Sequence, residues 1–153
     1  MAGRVIGVIG GSSVNRGIYE KARQAGRLIA ERGAVVICGG LGGVMEAACR
    51  GAKEAGGITV GILPGKEKSA ANKYVDIAVA TGMNEARNAV IVNSADAFIA
   101  VDGKYGTMSE IAFALKKGKP IAGIDTFDMK EIIKTKGPEE AVKKIFAVLG
   151  NKK

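Results

Sequence analysis

Apolar residues along this chain come in short, near-continuous β-branched runs separated by longer stretches of helical period. The runs at 5–9, 35–38, 59–63, 77–80, 97–101 and 120–124 read as strands. Runs without polar alternation are what parallel strands covered on both faces look like. Between them, residues 16–32 place Ile18, Ala22, Ala25, Leu28 and Ile29 on one helical face and stop at Gly33. Residues 43–55 carry Val44, Ala47, Ala48 and Ala52 and stop at Gly56-Gly57. Further helices are predicted over 84–94, 107–117 and 138–149. The last of these opens on Pro138-Glu139-Glu140, a proline in the first turn with acids behind it.

Strands alternating with helices predict an α/β fold. It is expected to be a three-layer, Rossmann-like, doubly wound and mainly parallel sheet with helices on both faces and right-handed crossovers. With 153 residues and no linker or repeat, residues 1–150 are expected to form a single nucleotide-binding domain, with 151–153 as a disordered tail.

In such a fold ligands sit beyond the carboxyl ends of the strands, and three glycine-rich segments fall there. The first is Gly10-Gly11-Ser12-Ser13, after strand one. It reads as a phosphate-binding loop or as a plain turn with a serine cap. The glycine spacing does not give the dinucleotide fingerprint. The second is Gly39-Gly40-Leu41-Gly42-Gly43. Four glycines in five positions carry a large conformational entropy loss on folding, which close approach of a ligand or of another backbone would explain. Glu46 follows as pocket lining or as a partner of the helix dipole, and Met45 reads as core.

The third segment, 96–110, reads as a buried strand, a loop and a helix start near Thr107. Gly103, Lys104, Tyr105, Gly106 and Thr107 would form a phosphate cradle with Glu110 beside it. The same residues also fit a capping box, with Thr107 as cap and Glu110 reaching back to it. Upstream, Arg87 is a candidate clamp for phosphate or carboxylate, or a surface arginine. The segment 61–66 imitates a P-loop, but its spacing fails.

Composition narrows the chemistry. The chain is 47% hydrophobic and 25% charged, ordinary values for a globular protein. No apolar run reaches the roughly 20 residues of a membrane span. The opening residues lack a signal-peptide layout, and a cytoplasmic location is expected. The net charge is +8, but the basic residues are dispersed and only 5% of residues are aromatic. No base-stacking platform is visible, so neither a nucleic acid nor a membrane is the expected partner. The absence of histidine excludes Ser-His and Cys-His catalysis and speaks against catalytic zinc. Cys38 and Cys49 offer neither metal spacing nor a disulfide framework.

Taken in order, Gly-Gly-x-Gly-Gly-Val-Met, Met-Asn-Glu-x-Arg-Asn and Asp-Ala-Phe-Ile-Ala-x-x-Gly-x-Tyr-Gly-Thr-x-x-Glu resemble the LOG-like proteins, the so-called lysine decarboxylase family. The resemblance runs from residue 4 to about 125. It is greatest to the short branch that includes the molybdenum cofactor carrier protein. LOG enzymes cleave nucleoside 5′-monophosphates to a base and ribose 5-phosphate. Their signature is Pro-Gly-Gly-x-Gly-Thr-x-x-Glu, preceded by Arg-Lys. Carried over, Arg87 matches the arginine, and Gly103, Gly106, Thr107 and Glu110 match the loop and acid.

The resemblance therefore implies Glu110 and Arg87 as catalytic residues. The position of the loops at the strand ends adds ligand contacts expected from Gly10, Gly11, Ser12, Gly39, Gly40, Gly42, Gly43, Glu46 and the 103–107 loop. The resemblance implies no metal, no cofactor for hydrolysis and a homodimer. The alternative it implies is a carrier that holds molybdenum cofactor or another phosphorylated small molecule without turnover. Three positions depart from the signature: Asn88 stands for Lys, Asp102 for Pro and Lys104 for Gly. Decarboxylation has no marked Schiff-base lysine to support it.

Overall fold

The computed structural model describes residues 3–150. The tail expected at 151–153 lies outside them. The strands are β1 (Val5–Gly10), β2 (Val35–Cys38), β3 (Thr59–Leu63), β4 (Ile77–Ala80), β5 (Ala97–Val101), β6 (Ile121–Ile124) and β7 (Ile133–Thr135). All neighbouring pairs are parallel, in the order β4-β3-β2-β1-β5-β6-β7. The helices are α1 (Arg16–Glu31), α2 (Val44–Glu54), α3 (Arg87–Ser94), α4 (Tyr105–Lys116) and α5 (Pro138–Gly150). The expected α/β fold class is what the structure shows, and the sheet is parallel throughout.

Strand alternation divides the core in two. Ile6, Val8, Ile99 and Val101 pack with α1, α2 and α5. Ile9, Phe98 and Ala100 pack with α3 and α4 on the opposite face. Burying each Ile or Phe stabilises by roughly 1.5–3 kcal/mol. Gly7 sits across from Phe98 in the register, and a Cβ there would lie 2.5 Å from the Phe98 ring. The absent side chain at Gly7 is the space the ring occupies.

Helix starts and stops follow local chemistry. The Asn15 side chain accepts the Ile18 N–H at 2.9 Å and caps α1. Gly33 takes φ +76° just beyond its end. Helices α1 and α2 then cross at backbone contact. A Cβ on Gly26 would stand 1.9 Å from the Ala48 carbonyl oxygen, and one on Gly51 would stand 1.8 Å from that of Arg23. Neither glycine breaks its helix; each lets the other helix in.

The order places β5 on the far side of β1 from β2. The chain builds outward from β1 to β4 and then returns, so the loops after β1 and β5 part at a switch point and leave a crevice. Among the described residues, no helix is long and apolar enough to cross a membrane.

Candidate functional site

Two glycine loops make one wall of the crevice, and most of their glycines make room for protein. A Cβ on Gly10 would strike the Val101 carbonyl at 2.3 Å, so β5 crowds the end of β1. Gly43, at φ +62°, lies on the first loop; its Cβ would stand 2.2 Å from the Gly11 oxygen. The Val44 N–H donates to that same oxygen at 2.9 Å. Gly42 approaches Ser12, and Gly40, at φ +76°, packs on Leu63 and Gly61. Asn72 pins the second loop from β3's side, donating from its backbone to the Gly40 carbonyl and from its side chain to that of Leu41. Gly39 differs. A Cβ there would meet Arg87 Nη2 at 2.6 Å and Met45 Sδ at 2.7 Å, so its bare backbone is the bed on which the guanidinium lies.

The other wall is the loop from β5 into α4. Asp102 takes φ +53° and Gly103 φ +124°, and the Thr126 hydroxyl donates to the Asp102 carbonyl at 2.7 Å. Helix α4 begins at Tyr105, two residues before the expected start, and Lys104 is its N-cap without any side-chain cap bond. The capping box therefore does not form. Thr107 is the third helical residue, packed under Gly103. Glu110 lies in the second turn, too far along to reach the cap. Helix geometry leaves the N–H groups of Tyr105, Gly106 and Thr107 without intrahelical acceptors at the mouth of the crevice.

Between the walls lies a cleft of about 300 Å³. The first loop contributes Gly10, Gly11 and Ser12 to it; the third contributes Lys104, Gly106, Thr107 and Glu110. Arg87 enters from the first residue of α3. Other expected residues stand back from it. Gly39, Gly40, Gly42, Gly43 and Gly103 shape the walls from behind. Glu46 is in the first turn of α2, where its charge suits the helix dipole. Tyr105 is 88% exposed and does not line the cleft. Conversely, Met45 lines the cleft rather than only the core, as do Glu85, Asn88 and Asp102. Asn88 and Asp102 are two of the three departures from the LOG signature, which was the available signal for them. A second, smaller cavity of about 120 Å³ lies beneath residues 125–135, away from all the expected site residues.

The electrostatics of the cleft are unresolved in a way ordinary surfaces are not. Arg87 Nη1 donates to Asn88 Oδ1, but the buried Arg87 Nε has no hydrogen-bond partner among the described residues. A buried donor left unpaired costs about 1–3 kcal/mol. Asn88 in turn reaches Ser109 Oγ at 3.5 Å, and Ser109 donates to the Gly106 carbonyl at 2.9 Å. That chain of contacts ties the arginine to the start of α4. Glu110 is 8% exposed. Burial pushes its carboxyl up to about 7, against the pull of the Arg87 charge. A carboxyl that changes charge near neutrality, beside an arginine with a free donor, is poised to meet an anionic ligand or to take part in proton transfer.

Beneath the second loop, Cys38 and Cys49 are both free and fully buried, with their sulfurs 3.5 Å apart. Their separation of eleven positions in the sequence gave no sign of this contact. Among the described residues no group of three or more His, Cys, Asp or Glu side chains is placed to hold a metal ion.

Known proteins share this fold along nearly the whole chain. The SLOG cluster4 family matches residues 3–149. A protein of Archaeoglobus fulgidus is 51% identical over 140 residues, covering 90% of this chain and 91% of its own. The molybdenum cofactor binding protein of Rippkaea orientalis superposes with a TM-score of 0.92 at 36% identity, over 97% of this chain and 99% of that one. The molybdenum cofactor carrier protein of Chlamydomonas reinhardtii does so at 0.91 and 31%, over 98% and 100%. The short LOG-like branch that the motifs resemble is thus the one the chain falls in, and the chain belongs to the SLOG cluster4 family.

Proposed function

We propose that this chain is a binding protein for a phosphorylated pterin of the molybdenum cofactor class, held in the cleft between the loops after β1 and β5. The observation that carries this reading is full-length likeness to two solved proteins that bind or carry that cofactor. The cleft fits such cargo on its own terms. The unpartnered Arg87 Nε and the free N–H groups at the start of α4 are donors waiting for phosphate oxygens. Ser12 adds a hydroxyl from the opposite wall. The volume of about 300 Å³ sits at the lower end of small-molecule sites, which suits a ligand partly open to solvent and able to leave intact. From the sequence alone cleavage stood first and carriage second; the relatives reverse that order.

The test is equilibrium binding of molybdenum cofactor, released from a donor enzyme, to the wild type and to Arg87→Ala. Saturable binding that the variant weakens supports the reading, and equal retention by both would sink it.

Glu110 favours a second reading, nucleoside 5′-monophosphate cleavage. Ionised, it would stabilise an oxocarbenium-like transition state and orient water, with Arg87 and Thr107 on the phosphate. Release of free base and ribose 5-phosphate from a nucleotide panel, abolished by Glu110→Gln, would establish it. A homodimer is supported by the exposed apolar side chains Tyr105, Met108 and Phe113 along α4, and light scattering on the purified protein decides it.

A further inference from the structure

We propose that Cys38 and Cys49 close to a reversible intramolecular disulfide beneath the second glycine loop, with Cys38 as the sulfur that a hydroperoxide oxidises first. Cys38 ends β2 and Cys49 lies in the middle of α2. Their sulfurs are at van der Waals contact, 3.5 Å, and a disulfide is about 2.05 Å long. Closure therefore asks for about 1.5 Å of approach between two side chains already aimed at each other.

The surroundings distinguish the two sulfurs. Cys38 Sγ receives the Gly40 N–H at 3.3 Å. Either sulfur can donate across the 3.5 Å contact, and the Cys38 thiol also has the Met45 carbonyl within 3.9 Å; once Cys38 is ionised, Cys49 and Gly40 both donate to it. Hydrogen bonding from Cys49 lowers the Cys38 thiol below its ordinary range despite burial. Donation to Cys38 and burial both raise Cys49. Cys38 is fully buried and packed with Met45, and the Arg87 guanidinium lies on the neighbouring Gly39, so a small oxidant enters as those two flexible side chains swing aside.

The chemistry balances in two steps. The Cys38 thiolate attacks one oxygen of the hydroperoxide; an S–O bond forms and the O–O bond breaks. The leaving oxyanion takes a proton from water, and Cys38 is left as sulfenic acid. Cys49 Sγ then attacks that sulfur; the S–S bond forms and the S–O bond breaks. The sulfenic oxygen departs as water, carrying the Cys49 proton. The pair loses two electrons and the hydroperoxide gains them. The second glycine loop spans from Cys38 to α2, and its first residue is the bed of Arg87. Drawing the two ends together is therefore felt at the cleft, whichever ligand occupies it.

The test is titration of the full chain with hydrogen peroxide, followed by intact mass and thiol counting after denaturation. The expected result is joint loss of both thiols, a mass lower by two hydrogens, and full recovery with dithiothreitol. In Cys49→Ser a dimedone-trapped sulfenic acid should appear on Cys38, whereas in Cys38→Ser the remaining thiol should resist. Persistence of both thiols, over-oxidation of Cys38 without a disulfide, or crosslinking between chains would overturn the pairing. Trapping on Cys49 instead of Cys38 would overturn the order of attack. The wild-type mass measurement needs no variant to fold.

Discussion

Glycine is used in two opposite ways in this molecule. Where α1 meets α2, Gly26 and Gly51 bring backbone against backbone, and the neighbours on either side are immovable main-chain atoms. At the cleft, Gly39 brings backbone against the end of a flexible arginine whose Nε has no partner among the described residues. The first contact is finished and the second is open. A glycine that meets main chain is architecture, whereas a glycine that meets an unsatisfied side chain marks a place where something else is to arrive.

Substitution breaks that comparison most sharply at the helix crossing. Gly26→Ala puts a methyl group against a carbonyl that cannot retreat without moving α2. Ala gains roughly 1 kcal/mol over Gly within a helix, yet the net loss is expected to be about 4 kcal/mol, at the upper end of overpacking effects. Denaturant unfolding measures it; a loss under about 1 kcal/mol would mean the helices slide apart freely.

Glu110 comes next. Its carboxyl sits at about 7 when folded, against an ordinary value of 4.5. The folded chain therefore holds a proton that the unfolded chain releases, and stability declines as pH rises between those values. Below that window both states are protonated and nothing is lost; above it the full loss, about 3 kcal/mol, is in force. Glu110→Gln should remove the decline, making the variant the more stable form at about pH 8 but not at about pH 4.5. Parallel slopes for the two proteins across this window would show that the carboxyl is not held as described.

Arg87→Ala should leave stability close to wild type or slightly improved, since a buried unpaired donor disappears. Affinity for a phosphorylated ligand should fall by about 1.5–3 kcal/mol, roughly 10- to 150-fold by calorimetry. The smallest effect belongs to Gly39→Ala. The side chain it meets can swing aside, so unfolding should change little while affinity drops by about 1 kcal/mol, a factor of about five. If Gly39→Ala unfolds the chain as Gly26→Ala does, the distinction between the two kinds of glycine fails.

Much of this architecture was legible in the sequence because apolar β-branched runs leave little choice. Strands β2 to β5 fall at the expected residues. What escaped was short or carried a misleading local signal. Strand β7 is Ile-Lys-Thr, three residues at an edge with no apolar run to announce it. The Thr107–Glu110 spacing imitated a capping box, while the true start of α4 at Tyr105 has no capping side chain to betray it. Gly26 and Gly51 carry no local sign that another helix needs their space. At the site, the resemblance located Arg87, Thr107 and Glu110 in the cleft wall. Glu46 and Tyr105, expected at the ligand from the same loops, do not line the cleft. The Cys38–Cys49 contact spans a strand end and a helix, and only the fold brings the two together.

The strand order also governs when the cleft exists during synthesis. β1 meets β2 as soon as residues 35–38 emerge, but its other neighbour, β5, begins at residue 97. A nascent chain with four strands paired still shows one bare flank of β1, together with half of a pocket. The loop that supplies Lys104, Thr107 and Glu110 arrives on that flank late, so a partly made chain has no competent cleft. A long-range parallel pairing of this kind closes slowly and leaves apolar surface waiting for it. The ability to hold a ligand there is then acquired late, and a chain that ends before residue 97 lacks it altogether.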